Sequence, residues 1–340
     1  MNEQSTDSGA RRPELIAVAL RAIANDAGDV VEDIRAFPGG AVAHCAGRNV
    51  AWIDEQPGRL LGAVLALHLR HPRHTLSVVV PQSLRIQAGI AARRLRQWRV
   101  SSEVSIVDGR SLTAVAPADY EAVAAPQFNI GPFVDLMTGA GAQPVVEHGV
   151  LTGEVMGLEV CRVMHDDDGP RLEVGVGSQD REAFKLMYAG EPSEVSLERV
   201  VAFVHEQRSA TAEPHPLGRL AAERRMRWQL HRDATEYGLH DVAFVDGATA
   251  RTSLSDAAPA FCTASIGKRN LLLACVSGTD LGAPIDTADT FERLASTHGL
   301  EESIMVIDGS TQLPILGDMA TLSHHPMRVA NLANLANTPR

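Results

Sequence analysis

The chain has 340 residues, 45% of them hydrophobic but only 4% aromatic, and a formal net charge of −11. That length suits two or three domains with cores filled mainly by Ala, Val, Leu and Ile. The acidity argues against a surface coated uniformly for nucleic acid, and no apolar run approaches the ~20 residues that span a bilayer.

The polar start, MNEQSTDSGARR, carries no signal-peptide core and reads as a disordered lead-in over residues 1–12. A first α/β domain is expected over 13–114. Pro13 to Ala27 has helical spacing, and Ala41 to Ala46 with Asn49 to Ile53 reads as a hairpin around Gly47-Arg48. Helix Arg59 to Leu69, strand Thr75 to Val80, helix Ser83 to Trp98 and strand Glu103 to Val107 follow. Residues 115–130 mix Ala, Pro and polar side chains without periodicity and read as a linker.

The central domain is expected over 131–235. A short helix, Pro132 to Thr138, precedes a three-strand meander. Gly157 to Met164 and Arg171 to Val176 alternate apolar and polar residues around the turn Asp166-Asp167-Asp168-Gly169-Pro170. Helices then open at Ser178, at Ser193 and at Leu217, the last one basic. The C-terminal domain, 240–332, repeats the first domain's order: hairpin Phe261 to Ser265 with Asn270 to Val276, helix Thr287 to Ser296, strand Ser303 to Ile307, helix Leu313 to Leu322 and strand Met327 to Ala330. Residues 333–340 form a tail. The fold class expected is therefore α/β (α+β), with a central three-strand meander flanked by two similar hairpin-α-β-α-β units.

Strict alternation along the first meander strand puts Glu159, Cys161 and Val163 on one face, and places Glu173 beside Glu159 on the neighbouring strand. Two adjacent carboxylates suit a hard cation, which would activate water and stabilise charge on a phosphodiester. The ordinary reading is a solvent-facing polar side of an antiparallel sheet. Two acid-poor segments point to phosphate contacts. Gly58 to Val100 contains no Asp or Glu, and carries Arg93, Arg94, Arg96 and Arg99. The helix from Leu217 presents Arg224, Arg225 and Arg227, with Trp228 able to stack on a base. Here the alternative is an amphipathic helix whose arginines are solvated or paired to acids of the chain.

The four cysteines lie far apart and match neither a zinc site nor a disulfide framework, so a reducing cytoplasm is expected. P-loop, dinucleotide-fingerprint and nucleophile-elbow motifs are missing from the sequence.

The order helix, meander with Glu159 and Glu173, then helix with Lys185 resembles the core of the PD-(D/E)xK nuclease-like superfamily. That resemblance implies Glu159 and Glu173 as ligands of Mg²⁺ or Mn²⁺. Glu173-Val174-Gly175 stands where the superfamily has its (D/E)xK tripeptide, with glycine in place of lysine. Lys185, on the following helix, is then the displaced catalytic lysine. The segments LEVGVGSQDREAF (Leu172 to Phe184) and HPLGRLAAERRMRW (His215 to Trp228) also resemble a group of actinobacterial conserved proteins of unknown function. The expectation is a nucleic-acid-associated protein, binding DNA or RNA, with a nuclease-like and degenerate core that either cuts or only binds. The alternative is a non-catalytic scaffold, docking a protein partner or forming a homo-oligomer.

Overall fold

In the computed structural model, which describes residues 4–109, 111–187, 193–251, 253–254, 256–309 and 313–337, the chain is a mixed α+β protein with three sheets of six, four and five strands. Two compact units divide it. One comprises 1–120, 281–293 and 313–329; the other comprises 121–280, 294–312 and 330–340. The expected boundaries do not coincide with this division, since the C-terminal helical segments group with the first unit.

The first unit begins with α1 (Gln4–Asp26), which runs helical through most of the lead-in expected to be disordered. Then come β1 (Val31–Phe37), β2 (Gly40–Cys45), β3 (Arg48–Ile53), α2 (Pro57–Arg70), β4 (Thr75–Pro81), α3 (Arg85–Leu95), β5 (Ser102–Asp108) and β6 (Ser111–Ala114). The sheet order is β1-β2-β3-β4-β5-β6. Strands β3, β4 and β5 are parallel, joined through α2 and α3 as crossover helices. Their apolar runs fill a core with Leu61, Leu65, Val78, Val80 and Trp98.

The second unit holds α4 (Gly131–Gly139) and the strands β7 (Gln143–Glu147), β8 (Val150–Val155), β9 (Leu158–Asp166) and β10 (Gly169–Val174). This meander has four antiparallel strands, one more than the sequence suggests. There follow α5 (Gly177–Met187), α6 (Ser193–Arg208), α7 (Ala222–Arg232), β11 (His240–Val245), β12 (Ala260–Ile266) and β13 (Arg269–Val276). The chain continues through α8 (Ala283–His298), β14 (Leu300–Ile307), α9 (Pro314–Thr321) and β15 (Met327–Asn331). The last sheet has the order β11-β12-β13-β14-β15, with β12 and β13 a hairpin and β13 parallel to β14. Its plan repeats that of β1 to β5.

One face of the meander is apolar. Leu151, Val155, Leu158, Val163 and Val174 pack there with Met137 of α4 and Leu197, Val201 and Val204 of α6. Cross-strand partners share a face, so the pairs Gln143–Glu154, Glu147–Val150, Glu154–Glu159 and Arg162–Glu173 put four carboxylates on the other face. On α7, Met226 and Leu230 pack into the core of the five-stranded sheet with Leu239, Cys262 and Leu271.

Candidate functional site

Glu159 owes its surroundings to a register shift. Thr152 pairs with Arg162 and Gly153 with Cys161, yet Glu154 pairs with Glu159, so Val160 and Cys161 together occupy one position of the ladder. Such a bulge reverses the alternation beyond it. Glu159 therefore leaves the face of Cys161 and Val163, where strict alternation puts it, and joins Arg162. The bulge needs Gly153, because a Cβ there would lie 2.6 Å from Cys161 Sγ.

Glu159 is 2% exposed and accepts hydrogen bonds from three guanidinium nitrogens. Arg162 Nε donates to Oε1 and Nη2 to Oε2, each at 3.0 Å, and Arg181 Nη1 donates to Oε1 at 2.8 Å. Two glycines bring these groups together. Gly175 (φ +136°) lets the start of α5 close on the end of β10, since a Cβ would meet Arg181 N at 2.8 Å. Gly157 (φ +79°) lets the β8–β9 turn touch α7, since a Cβ would lie 2.4 Å from the Arg224 carbonyl carbon.

Beneath α7 lies a buried ion-pair array. Glu147 accepts from Arg224 and from Arg227. Glu154, 1% exposed, stands 3.3 Å from Arg224 Nη1 and 3.4 Å from Arg227 Nη2. Burial pushes the Glu147 carboxyl up, but Arg227 and Arg224 outweigh it and hold it at about 2. For Glu154 burial prevails over the same two arginines, and its carboxyl is raised. Glu223, also buried, accepts from Ser277 Oγ at 2.5 Å and from Arg251 Nη2 at 3.3 Å.

Beside this array opens a cleft of about 560 Å³. Its wall carries Glu159, Arg162, Arg181, Arg224 and Arg251, together with Gly177, Ser178 and Gln179 at the start of α5. Four guanidiniums against one lining carboxylate suit an anion, and the helix N-terminus adds partial positive charge. The side chains of Arg224 and Arg251 are each 9% exposed. Nη1 of each is buried without a hydrogen-bond partner among the described residues, and Arg224 Nη1 has only ion-pair proximity to Glu154 and Glu159. Burial and the like charge of Arg224 both lower the Arg251 pKa, so an added anion would relieve the crowding.

The structure separates several residues that the sequence groups together. Glu159 and Glu173 share a face, but Glu173 pairs with Arg162 and accepts from Arg171 at 3.2 Å. A cation held between the two carboxylates would stand against Arg162, and both oxygens of Glu159 are already engaged. This pair does not fit Mg²⁺ or Mn²⁺. Among the described residues no group of three or more His, Cys, Asp or Glu could hold a metal. The side chain of Lys185 lies outside the described residues; its backbone belongs to α5.

The expected basic surfaces are largely turned inward. Arg94 is buried on Asp286 and Asp289, and Arg93 pairs with Asp289 while covering the Tyr120 ring at 4.1 Å. Arg96 and Arg99 are exposed. Arg227 is fully buried, Arg225 donates to the carbonyls of Gly218 and Arg208, and Trp228 lies under the Arg232 guanidinium at 4.3 Å. Of these eight residues only Arg224 lines the cleft. Arginines turn inward where carboxylates wait beneath them, because a buried guanidinium without a counter-charge is prohibitive.

Sequence reasoning overlooks Glu147, Glu154, Arg181, Glu223 and Arg251. One signal was available: Glu154 interrupts the apolar strand Val150-Leu151-Thr152-Gly153-Glu154-Val155, and a buried acid requires a cation. Its partner lies 73 residues away, beyond any local pattern. No family model matches the chain, and no curated protein matches it.

Proposed function

We propose that the second unit binds a phosphate-bearing ligand in the arginine cleft. The observation that carries this reading is the convergence of Arg162, Arg181, Arg224, Arg251 and the α5 N-terminus on one cleft, where the buried Nη1 atoms of Arg224 and Arg251 have no hydrogen-bond partner among the described residues. A phosphoryl group offers acceptors to several guanidiniums at once, and planar bidentate donors suit it better than point charges do. Nucleic acid, the partner expected from the arginine runs, enters as one source of phosphate. Metal-assisted cleavage is not part of this function, because Arg162 stands between Glu159 and Glu173 and both oxygens of Glu159 are engaged.

Thermal unfolding followed across a series of phosphate and pyrophosphate concentrations, against equal ionic strength of chloride, tests the proposal. Ligands that bind only the folded state raise its melting temperature with concentration. Phosphate-specific stabilisation that fades as salt rises is expected. Each charge-assisted hydrogen bond contributes about 1.5–3 kcal/mol, so Arg181→Ala should weaken binding by roughly 10- to 100-fold. Equal responses to phosphate and chloride would leave the non-catalytic scaffold as the better reading.

A further inference from the structure

A second chamber adjoins the arginine cleft within the same unit. Its volume is about 470 Å³, and Leu220 and Leu254 line both spaces. Leu254 is well placed for this, since a Cβ on Gly177 would lie 3.3 Å from its Cδ1. The second chamber is differently charged. Glu223, Asp256 and Asp280 stand in its wall against one arginine, Arg219, with Ser277 and Thr279 between them. Ser277, Gly278, Thr279 and Asp280 form the segment that follows β13. β13 is antiparallel to β12 and parallel to β14, and the segment leaves its carboxyl end. Glu223 is the hinge between the chambers, holding Arg251 of the first with one oxygen and Ser277 of the second with the other.

From this juxtaposition we infer that the ligand is a phosphate monoester with a hydroxyl-bearing body, its phosphoryl group in the arginine cleft and its hydroxyls on the carboxylate chamber. The inference rests on the phosphate-binding reading and narrows it. Three arguments carry it. Carboxylates are acceptors only, so they recognise donors such as sugar hydroxyls or amines. Asp256 and Asp280, beside a Glu223 already paired with Arg251, oppose a second phosphoryl group, which disfavours a polynucleotide strand running through both chambers. Among the described residues neither chamber is lined by Phe, Tyr or Trp, the side chains that give single-stranded nucleic acid its stacking platform. A body of this kind belongs to a free sugar phosphate or to a nucleoside monophosphate, and both fit the range of volumes that enclose small ligands.

Calorimetric titration of the full chain with inorganic phosphate, ribose 5-phosphate, a nucleoside 5′-monophosphate, ribose and a single-stranded oligonucleotide separates the cases. Either ester is expected to bind at least ~10-fold more tightly than inorganic phosphate, a difference of about 1.4 kcal/mol, with ribose alone too weak to measure. A preference between the two esters tells free sugar from nucleotide. Asp280→Asn should erase the advantage of the ester while leaving affinity for inorganic phosphate within about 2-fold. Thr279→Val repeats the test at a neutral position. Equal affinity for phosphate and esters would overturn the two-chamber inference and leave the phosphate site standing. An oligonucleotide that binds more tightly than every monomer would also overturn it. Failure of all the phosphates would remove the underlying reading.

Discussion

Arg227 is a fully buried cation, and its position is tolerable only because Glu147 and Glu154 lie beneath it and the Phe244 ring covers it at 4.1 Å. Removing one member of such an array leaves the others uncompensated in a medium of low polarity. Arg227→Met is therefore expected to cost about 3–5 kcal/mol, measured by denaturant unfolding. An exposed pair makes the contrast. Glu32 bonds Arg73 with its side chain 49% exposed, and Glu32→Gln should change stability by no more than about 0.5–1 kcal/mol. Gly157 acts through the backbone. Gly157→Ala combines positive φ with a 2.4 Å approach to Arg224, so it should both destabilise the fold and weaken phosphate binding. Gly169→Ala, at φ +101° with no neighbour within 4 Å, should show the backbone cost of about 1–3 kcal/mol without the binding defect. At this scale the carboxylates and arginines were legible as residue types, but not as partners. Strict alternation puts Glu159 on the wrong side of its strand, because the bulge is set by Gly153 and Cys161 packing, which no period-two pattern reports.

Helix α7 is the element on which the second unit turns. Its Arg224 and Arg227 meet the carboxylate face of the meander, while Met226 and Leu230 enter the apolar core of the five-stranded sheet. Acid should loosen the first contact selectively. A free glutamate titrates near 4.5, and Glu147 in the folded protein near 2. A lowered carboxyl contributes stability that is complete above the unfolded value and is lost as pH falls from about 4.5 toward 2. Glu154 runs the other way. Its raised carboxyl favours the folded state when protonated, and that contribution is lost as pH rises above 4.5. Glu147→Gln should therefore flatten the acid limb of the stability curve, which urea unfolding at stepped pH would show; an unchanged limb would deny Glu147 this role. Apolar parallel strands such as β4 and β14 were evident from sequence, since both of their faces are covered. The strands β1 and β11 were missed. Both are edge strands with exposed positions, where alternation is weak because one side and one ladder face water.

For the whole molecule, the repeated order of hairpin, helix, strand and helix is legible in the sequence, because each copy carries the same succession of strand and helix periods. Its assembly is not. The helical segments 281–293 and 313–329 belong to the first unit. There Asp289 collects Arg93, Arg94 and Gln97, and the segments after α3 and α9 pair through Trp98 and Ser323. Asp289→Asn should accordingly unsettle the first unit by about 3–5 kcal/mol while leaving phosphate binding by the second unit unchanged. No helix among the described residues is long and apolar enough to cross a membrane. The central claim is that Arg162, Arg181, Arg224 and Arg251 together hold a phosphoryl group, and a crystal grown with tungstate would test it most directly. The expected result is one anomalous peak within hydrogen-bonding distance of Arg224 and Arg251 and close to the start of α5. A cleft without a peak, in crystals where the tungstate sits elsewhere on the surface, would contradict it.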